Sequence, residues 1–210
     1  MPTSAPTPQA PAHAVRDGVR GNERLTAALA LVLLLLLAAE GATVAFLRVL
    51  FPLHVFIGLV LLPLTGLKLT SVGYRAVRYY LGAPGYRRRG PPAILLRLLA
   101  PALVALTAAL LGSGVGLLAV PPGPSLLLFL HKASFVLWFM AMSVHVLAYL
   151  WHLPGLALAD WRRVDALPRG RVGRQGVVLG GLVVGVVLAA ALMPAASGWI
   201  HWVGTVGIAG

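Results

Sequence analysis

The chain contains no cysteine. That absence excludes disulfides, Cys-ligated iron–sulfur clusters and haem attached covalently through C-x-x-C-H, so any redox centre must have other ligands. Charge is scarce too: 10% of the 210 residues are charged, and only five are acidic. A soluble exterior cannot be built from so little charge. There is no G-x-x-x-x-G-K-[ST], no G-x-G-x-x-G between a strand and a helix, and no suggestion of a Ser/His/Asp arrangement, so nothing points to a nucleotide site or a hydrolase. What is abundant is apolar surface, at 59% hydrophobic residues and a mean hydropathy of +0.90. Lipid is the solvent that tolerates such an exterior, and the composition reads as an all-α, polytopic membrane protein.

Five hydrophobic spans follow from the pattern. They are Leu25 to Leu47, Leu53 to about Val72 (helical on through Tyr80), Ala93 to Ala119, Ser125 to about Trp151, and Val177 to Met193. At 1.5 Å per residue, about 20 residues cross the roughly 30 Å hydrocarbon layer. Residues 1–24 lack apolar periodicity and read as a disordered tail. That Arg-containing tail and the Ala-rich residues around Ala38 to Ala45 also read as a signal sequence, cleaved or uncleaved, but the span is long for a signal core, which favours retention. The run Pro121-Pro122-Gly123-Pro124 predicts a tight turn, since proline cannot donate within a helix and glycine relaxes the bend. Short links make neighbouring helices antiparallel, so residues 25–153 read as an up-down four-helix bundle. Residues 154–176 form a basic linker, 177–193 a fifth helix expected to be peripheral, and 194–210 an external tail.

The net charge of +12 is explained by where the basic residues sit. Arg16, Arg20 and Arg24 precede the first span. Arg75, Arg78, Arg87, Arg88, Arg89 and Arg97 surround the second link, and Arg162, Arg163, Arg169, Arg171 and Arg174 fill the fourth. The first link has Arg48 and the third Lys132. Alternation of this kind is the positive-inside pattern, predicting a cytoplasmic N-terminus and an external C-terminus in a bacterial-type inner membrane, without nucleic acid as a partner.

An ionisable side chain inside a span needs a reason, because a charge at mid-helix costs roughly 2.5–3.5 kcal/mol on insertion scales. His54, Lys68, His131, His145 and His152 lie in or at the edge of the second and fourth spans. His131 and His145 are 14 residues apart, about 40° short of four turns, so both leave nearly one helix face about 21 Å apart. His54 begins the second span as His131 begins the fourth, which puts them at one depth. Two imidazoles approaching one iron from opposite sides is the six-coordinate arrangement of an electron-transferring b-haem.

Fourteen residues beyond His54 stands Lys68, at the level of His145, where a second bis-histidine site would want a histidine. Lys68 could ligate a second iron as a neutral amine, pair with a haem propionate, or snorkel to the interface beside a single haem. Arg75, Arg78 and Arg97 could hold propionates or simply belong to the positive-inside ring. Gly58, Gly66, Gly73, Gly112, Gly114 and Gly116 suit a haem slot and equally suit close helix packing. Trp138, Phe135 and Phe139 read as packing and lipid contact, and Tyr74, Tyr79, Tyr80, Trp151 and Trp161 as an interfacial belt. His152 could meet a propionate or a quinone, or lie idle in the interface. Glu40, late in the first span, could handle protons or be hydrated and inert.

The segments L-H-V-F-I-G at 53–58, K-L-T-S-V-G-Y-R at 68–75 and H-K-A-S-F-V-L-W-F…V-H-V-L at 131–147 resemble the bacterial four-helix b-type cytochromes that serve as membrane subunits of hydrogenases and formate dehydrogenases. The resemblance covers roughly residues 25–153. It implies one haem b on His54 and His131 and a second on His145, whose partner position is Lys68 here. It also implies electron transfer between a quinone pool and a separate oxidoreductase partner subunit, without catalysis by this chain. The alternative is a haem-free transporter or assembly protein with an intramembrane His/Lys proton path.

Overall fold

The computed structural model describes residues 12–87, 94–150 and 170–206, and among them there is no strand. Five helices are long and apolar enough to cross a membrane. The chain is therefore an all-α, multi-pass membrane protein. Its elements are α1 (Ala12–Ala45), α2 (Leu47–Tyr80), a short α3 (Pro84–Arg87), α4 (Ile94–Leu117), α5 (Leu126–Tyr149), α6 (Arg171–Leu192), a 3₁₀ turn (Met193–Ala196) and α7 (Ser197–Val206).

The links behave as local chemistry requires. Ser125 is extended (φ −152°, ψ 158°), and its hydroxyl accepts from the Leu128 amide at 3.2 Å, which caps the first turn of α5. Gly123 before it has φ +144°, a conformation closed to residues with a side chain. Between α1 and α2 the reversal takes one residue, Phe46, at φ −123° and ψ 37°. The pairs Asn22–Ser71, Lys68–Thr26 and His54–Glu40 then run in opposite order along the two helices, so α1 and α2 form an antiparallel hairpin.

Helix α2 is the axis of the fold. It packs along α1 on one side and along α6 on the other, and Leu29, Leu33, Ile57, Val60, Leu61, Leu64, Val178 and Ala189 form the buried core between the three. The expectation that the fifth span is peripheral is thus corrected. A Cβ on Gly185 would lie 2.8 Å from the Val60 carbonyl oxygen, and one on Gly181 would lie 2.6 Å from Leu67 Cδ1. Small residues let the two backbones approach, the mode of association available in lipid, where burial of apolar surface gives no drive.

Helices α4 and α5 form a second antiparallel hairpin, tied by the Trp138 indole N–H donating to Thr107 Oγ1 at 2.9 Å. This hairpin meets the other helices sparsely, chiefly where α4 touches α2. The C-terminal segment expected as a tail is helical instead, continuing from the fifth span through the 3₁₀ turn. Trp199 and Val203 of α7 are buried, and the Trp199 indole N–H donates to the carbonyls of Leu117 (2.7 Å) and Val120 (3.1 Å), satisfying acceptors that the end of α4 leaves open. Residues 12–24, also expected as tail, are the opening turns of α1, with Val19 buried. Most of the expected 154–176 linker lies outside the described residues.

Candidate functional site

His54 and His131 come from the two different helical units and meet. Their ring centroids are 6.4 Å apart with planes at 81°, close to the end of the molecule that carries the Phe46 and Pro121–Pro124 turns. Each imidazole is held by Nδ1. His54 Nδ1 donates to Glu40 Oε1 at 2.9 Å and lies 3.2 Å from Thr43 Oγ1. His131 Nδ1 donates to the Leu110 carbonyl oxygen at 3.1 Å and lies 3.2 Å from Ser113 Oγ.

Both hydroxyls are themselves fixed. Thr43 Oγ1 donates to the Glu40 carbonyl at 2.6 Å, and Ser113 Oγ donates to the Leu110 carbonyl at 3.0 Å, so each oxygen offers a lone pair to the neighbouring ring. An imidazole whose Nδ1 donates carries its lone pair on Nε2, and neither Nε2 has a hydrogen bond among the described residues. Phe51 stacks at 6.3 Å from the His54 ring, one helical turn earlier on α2. Gly114 lies beside the other ring, where a Cβ would stand 3.1 Å from His131 Cε1, so no larger residue fits without displacing the imidazole.

Each imidazole is oriented through one nitrogen and keeps the other basic, which is how proteins orient metal-bound histidine. Two metal–nitrogen bonds of about 2 Å and the two ring radii together span about 6 Å, which agrees with the observed centroid separation. No group of three or more metal-ligating side chains occurs among the described residues.

The second expected level is built differently. Lys68 and His145, each 14 residues beyond the histidine that precedes it, occupy the second level. However, the Lys68 ammonium donates to the Thr26 carbonyl on α1 at 2.7 Å. It sits within a polar cluster in which Ser71 Oγ donates to Asn22 Oδ1 at 3.0 Å and Thr26 and Ser71 share a hydroxyl hydrogen bond. His145 and His131 do share one face of α5 with Trp138 and Ser134, both buried against α4.

Arg75, Arg78 and Arg97 are exposed and lie far from the His54–His131 pair. Arg75 is 21 residues beyond His54 on the same helix, about 31 Å along the axis. Gly66, Gly73 and Gly112 border open space, whereas Gly116 accommodates Leu127 of the neighbouring helix. His152 lies outside the described residues. Sequence reasoning left Glu40 unassigned and passed over Thr43 and Ser113. Their signal was available in part, because Glu40 and His54 stand nearly equidistant from the Phe46 turn and a hairpin must bring them together.

Comparisons with protein-family models, with curated proteins and with solved structures found no match to the chain.

Proposed function

We propose that this chain carries electrons across part of the membrane through a b-type haem held between His54 and His131, as the membrane subunit of an oxidoreductase whose catalytic partner is a separate protein. The observation that carries the reading is the matched pair of imidazoles, both held through Nδ1 and set 6.4 Å apart by centroids. The haem supplies a reversible one-electron iron centre. Around it, Glu40 and the Leu110 carbonyl hold the two rings in the tautomer with the lone pair on Nε2.

The positive-inside pattern supports a site near the outer face, with the N-terminus cytoplasmic. At that end Arg48 and Lys132 are the nearby cations on α2 and α5 and suit the propionates, whereas Arg75, Arg78 and Arg97 belong to the opposite, inner rim. The resemblance of residues 53–58, 68–75 and 131–147 to b-type cytochrome subunits supports a quinone pool at one side of the electron path and the partner subunit at the other.

One haem per chain is the stoichiometry this reading takes. Lys68 Nζ is engaged with α1 through the Thr26 carbonyl at 2.7 Å, which favours a tie between helices over an iron ligand. Lys68 therefore acts as a structural tie between α1 and α2. The reduced-minus-oxidised spectrum of the protein in mild detergent, with a pyridine haemochrome assay, is expected to give one haem per chain. Lys68→Met is expected to leave that count unchanged while lowering stability by about 1.5–3 kcal/mol for the lost charge-assisted hydrogen bond. Two haems in the parent chain, falling to one in Lys68→Met, would return Lys68 to the ligand set. A colourless protein, even after supply of haem precursor, would favour the haem-free proton path, for which Glu40, His54 and His131 form the obvious row.

A further inference from the structure

A carboxyl within a membrane span must have a strong partner, and Glu40 has one. The Glu40 side chain is 15% exposed and the His54 side chain 20%, and they are joined at 2.9 Å. The facing ring has no such neighbour: His131 Nδ1 meets a neutral carbonyl and a hydroxyl. The two imidazoles are thus alike in tautomer and unlike in the charge of the group behind them.

We infer that Glu40 is a positioning and tuning residue that makes the two axial histidines inequivalent, fixing His54 with its lone pair on Nε2 and lowering the reduction potential of the metal centre held there. The inference rests on the function proposed above. A carboxylate accepting from Nδ1–H raises the basicity of the opposite nitrogen. A more electron-donating ligand favours the oxidised metal, so the potential falls, and axial ligation and hydrogen bonding are among the levers that set it. Thr43 completes the device. Its hydroxyl donates to the Glu40 carbonyl at 2.6 Å and lies 3.4 Å from Oε2, which bridges the backbone and side chain of Glu40 beside the ring. The pairing is set by the α1–α2 hairpin alone and does not depend on contact with α5.

Glu40→Gln keeps an acceptor and removes the charge, Glu40→Ala removes both, and Ser113→Ala alters only the neutral side. In haem-loaded full-length protein, the midpoint potential is expected to rise in Glu40→Gln with haem retained, and to move less in Ser113→Ala. Glu40→Ala is expected to weaken haem binding about 10–100-fold. On full-length protein expressed without haem precursor, the nitrogen-15 shifts of the His54 ring are expected to report Nδ1–H in the parent and in Glu40→Gln, and mixed tautomers in Glu40→Ala.

An unchanged potential in haem-replete Glu40→Gln overturns the tuning role. Unchanged ring shifts in Glu40→Ala overturn the positioning role. A parent chain that takes up no haem overturns the electron-transfer reading, and the ring shifts of that same chain then decide the role of Glu40 on their own.

Discussion

His131→Ala is expected to abolish the visible spectrum of the reduced protein while leaving the chain folded in the membrane. In the proposed site each helical unit supplies one of the two histidines, so removing either would take away half of the protein's hold on the iron. The loss must exceed the about 10–100-fold that a missing outer partner costs. The structural effect is smaller. His131 gives up its hydrogen bond to the Leu110 carbonyl, but the Ser113 hydroxyl still donates to that oxygen, so the stability change is about 1 kcal/mol. His54→Ala should behave alike for haem, with Glu40 left near apolar surroundings without its partner. His145→Ala should keep the full haem content, because Lys68 at its level is bonded to the Thr26 carbonyl of α1. Haemochrome assays on the three variants, with circular dichroism to follow helix content, separate the two levels. Loss of haem in His145→Ala with retention in His131→Ala would move the site to the Lys68 level and sink the present assignment.

How much of this was legible in the sequence depends on the kind of signal involved. The limits of α5 were written in Ser125 and the Pro-Pro-Gly-Pro run, because capping and proline chemistry act locally, and the helix begins at Leu126 as those residues demand. The helical continuation of α2 through Tyr80 was expected from the sequence and is observed. The meeting of His54 and His131 was readable from equal depth in parallel spans, since a bilayer converts position in a helix into height.

Contacts set by helix rotation were not legible. The Glu40–His54 pair appears only once the reversal at Phe46 is placed, and Ser113 reaches His131 only once α4 and α5 are in register. The fifth span was misjudged for a related reason. Absence of ionisable residues says that a helix can face lipid, but helices in lipid associate through small residues, and the informative feature was the four-residue spacing of Gly181 and Gly185. The opening turns of α1 and the C-terminal α7 were overlooked because their anchors, Val19, Trp199 and Val203, are few and sit in otherwise unpatterned stretches.

Gly185→Leu is expected to be the most damaging single change remote from the histidines. At Gly185 the obstacle is backbone: an added Cβ would lie 2.8 Å from the Val60 carbonyl oxygen and 3.2 Å from Val60 Cα, and neither atom can rotate aside. Even alanine must push α6 away from α2. Its gain of about 1 kcal/mol in helix propensity is set against overpacking of about 1–3 kcal/mol, and leucine adds bulk with no further propensity advantage. In lipid the separated surfaces recover no hydrophobic drive, so each lost contact is a net loss of packing. Gly180 is the control, five residues earlier on the same helix, exposed and with open space where its Cβ would stand. Gly180→Leu should leave stability unchanged or raise it by up to about 1 kcal/mol, the helix-propensity gain over glycine. Thermal unfolding in one detergent should therefore rank Gly180→Leu at or above the parent, and both well above Gly185→Leu. Haem content should fall with Gly185→Leu as well, since displacing α2 carries His54 away from His131 while the α4–α5 hairpin stays behind. Equal melting temperatures for the two leucine variants would mean that α6 does not clamp α2 in the membrane.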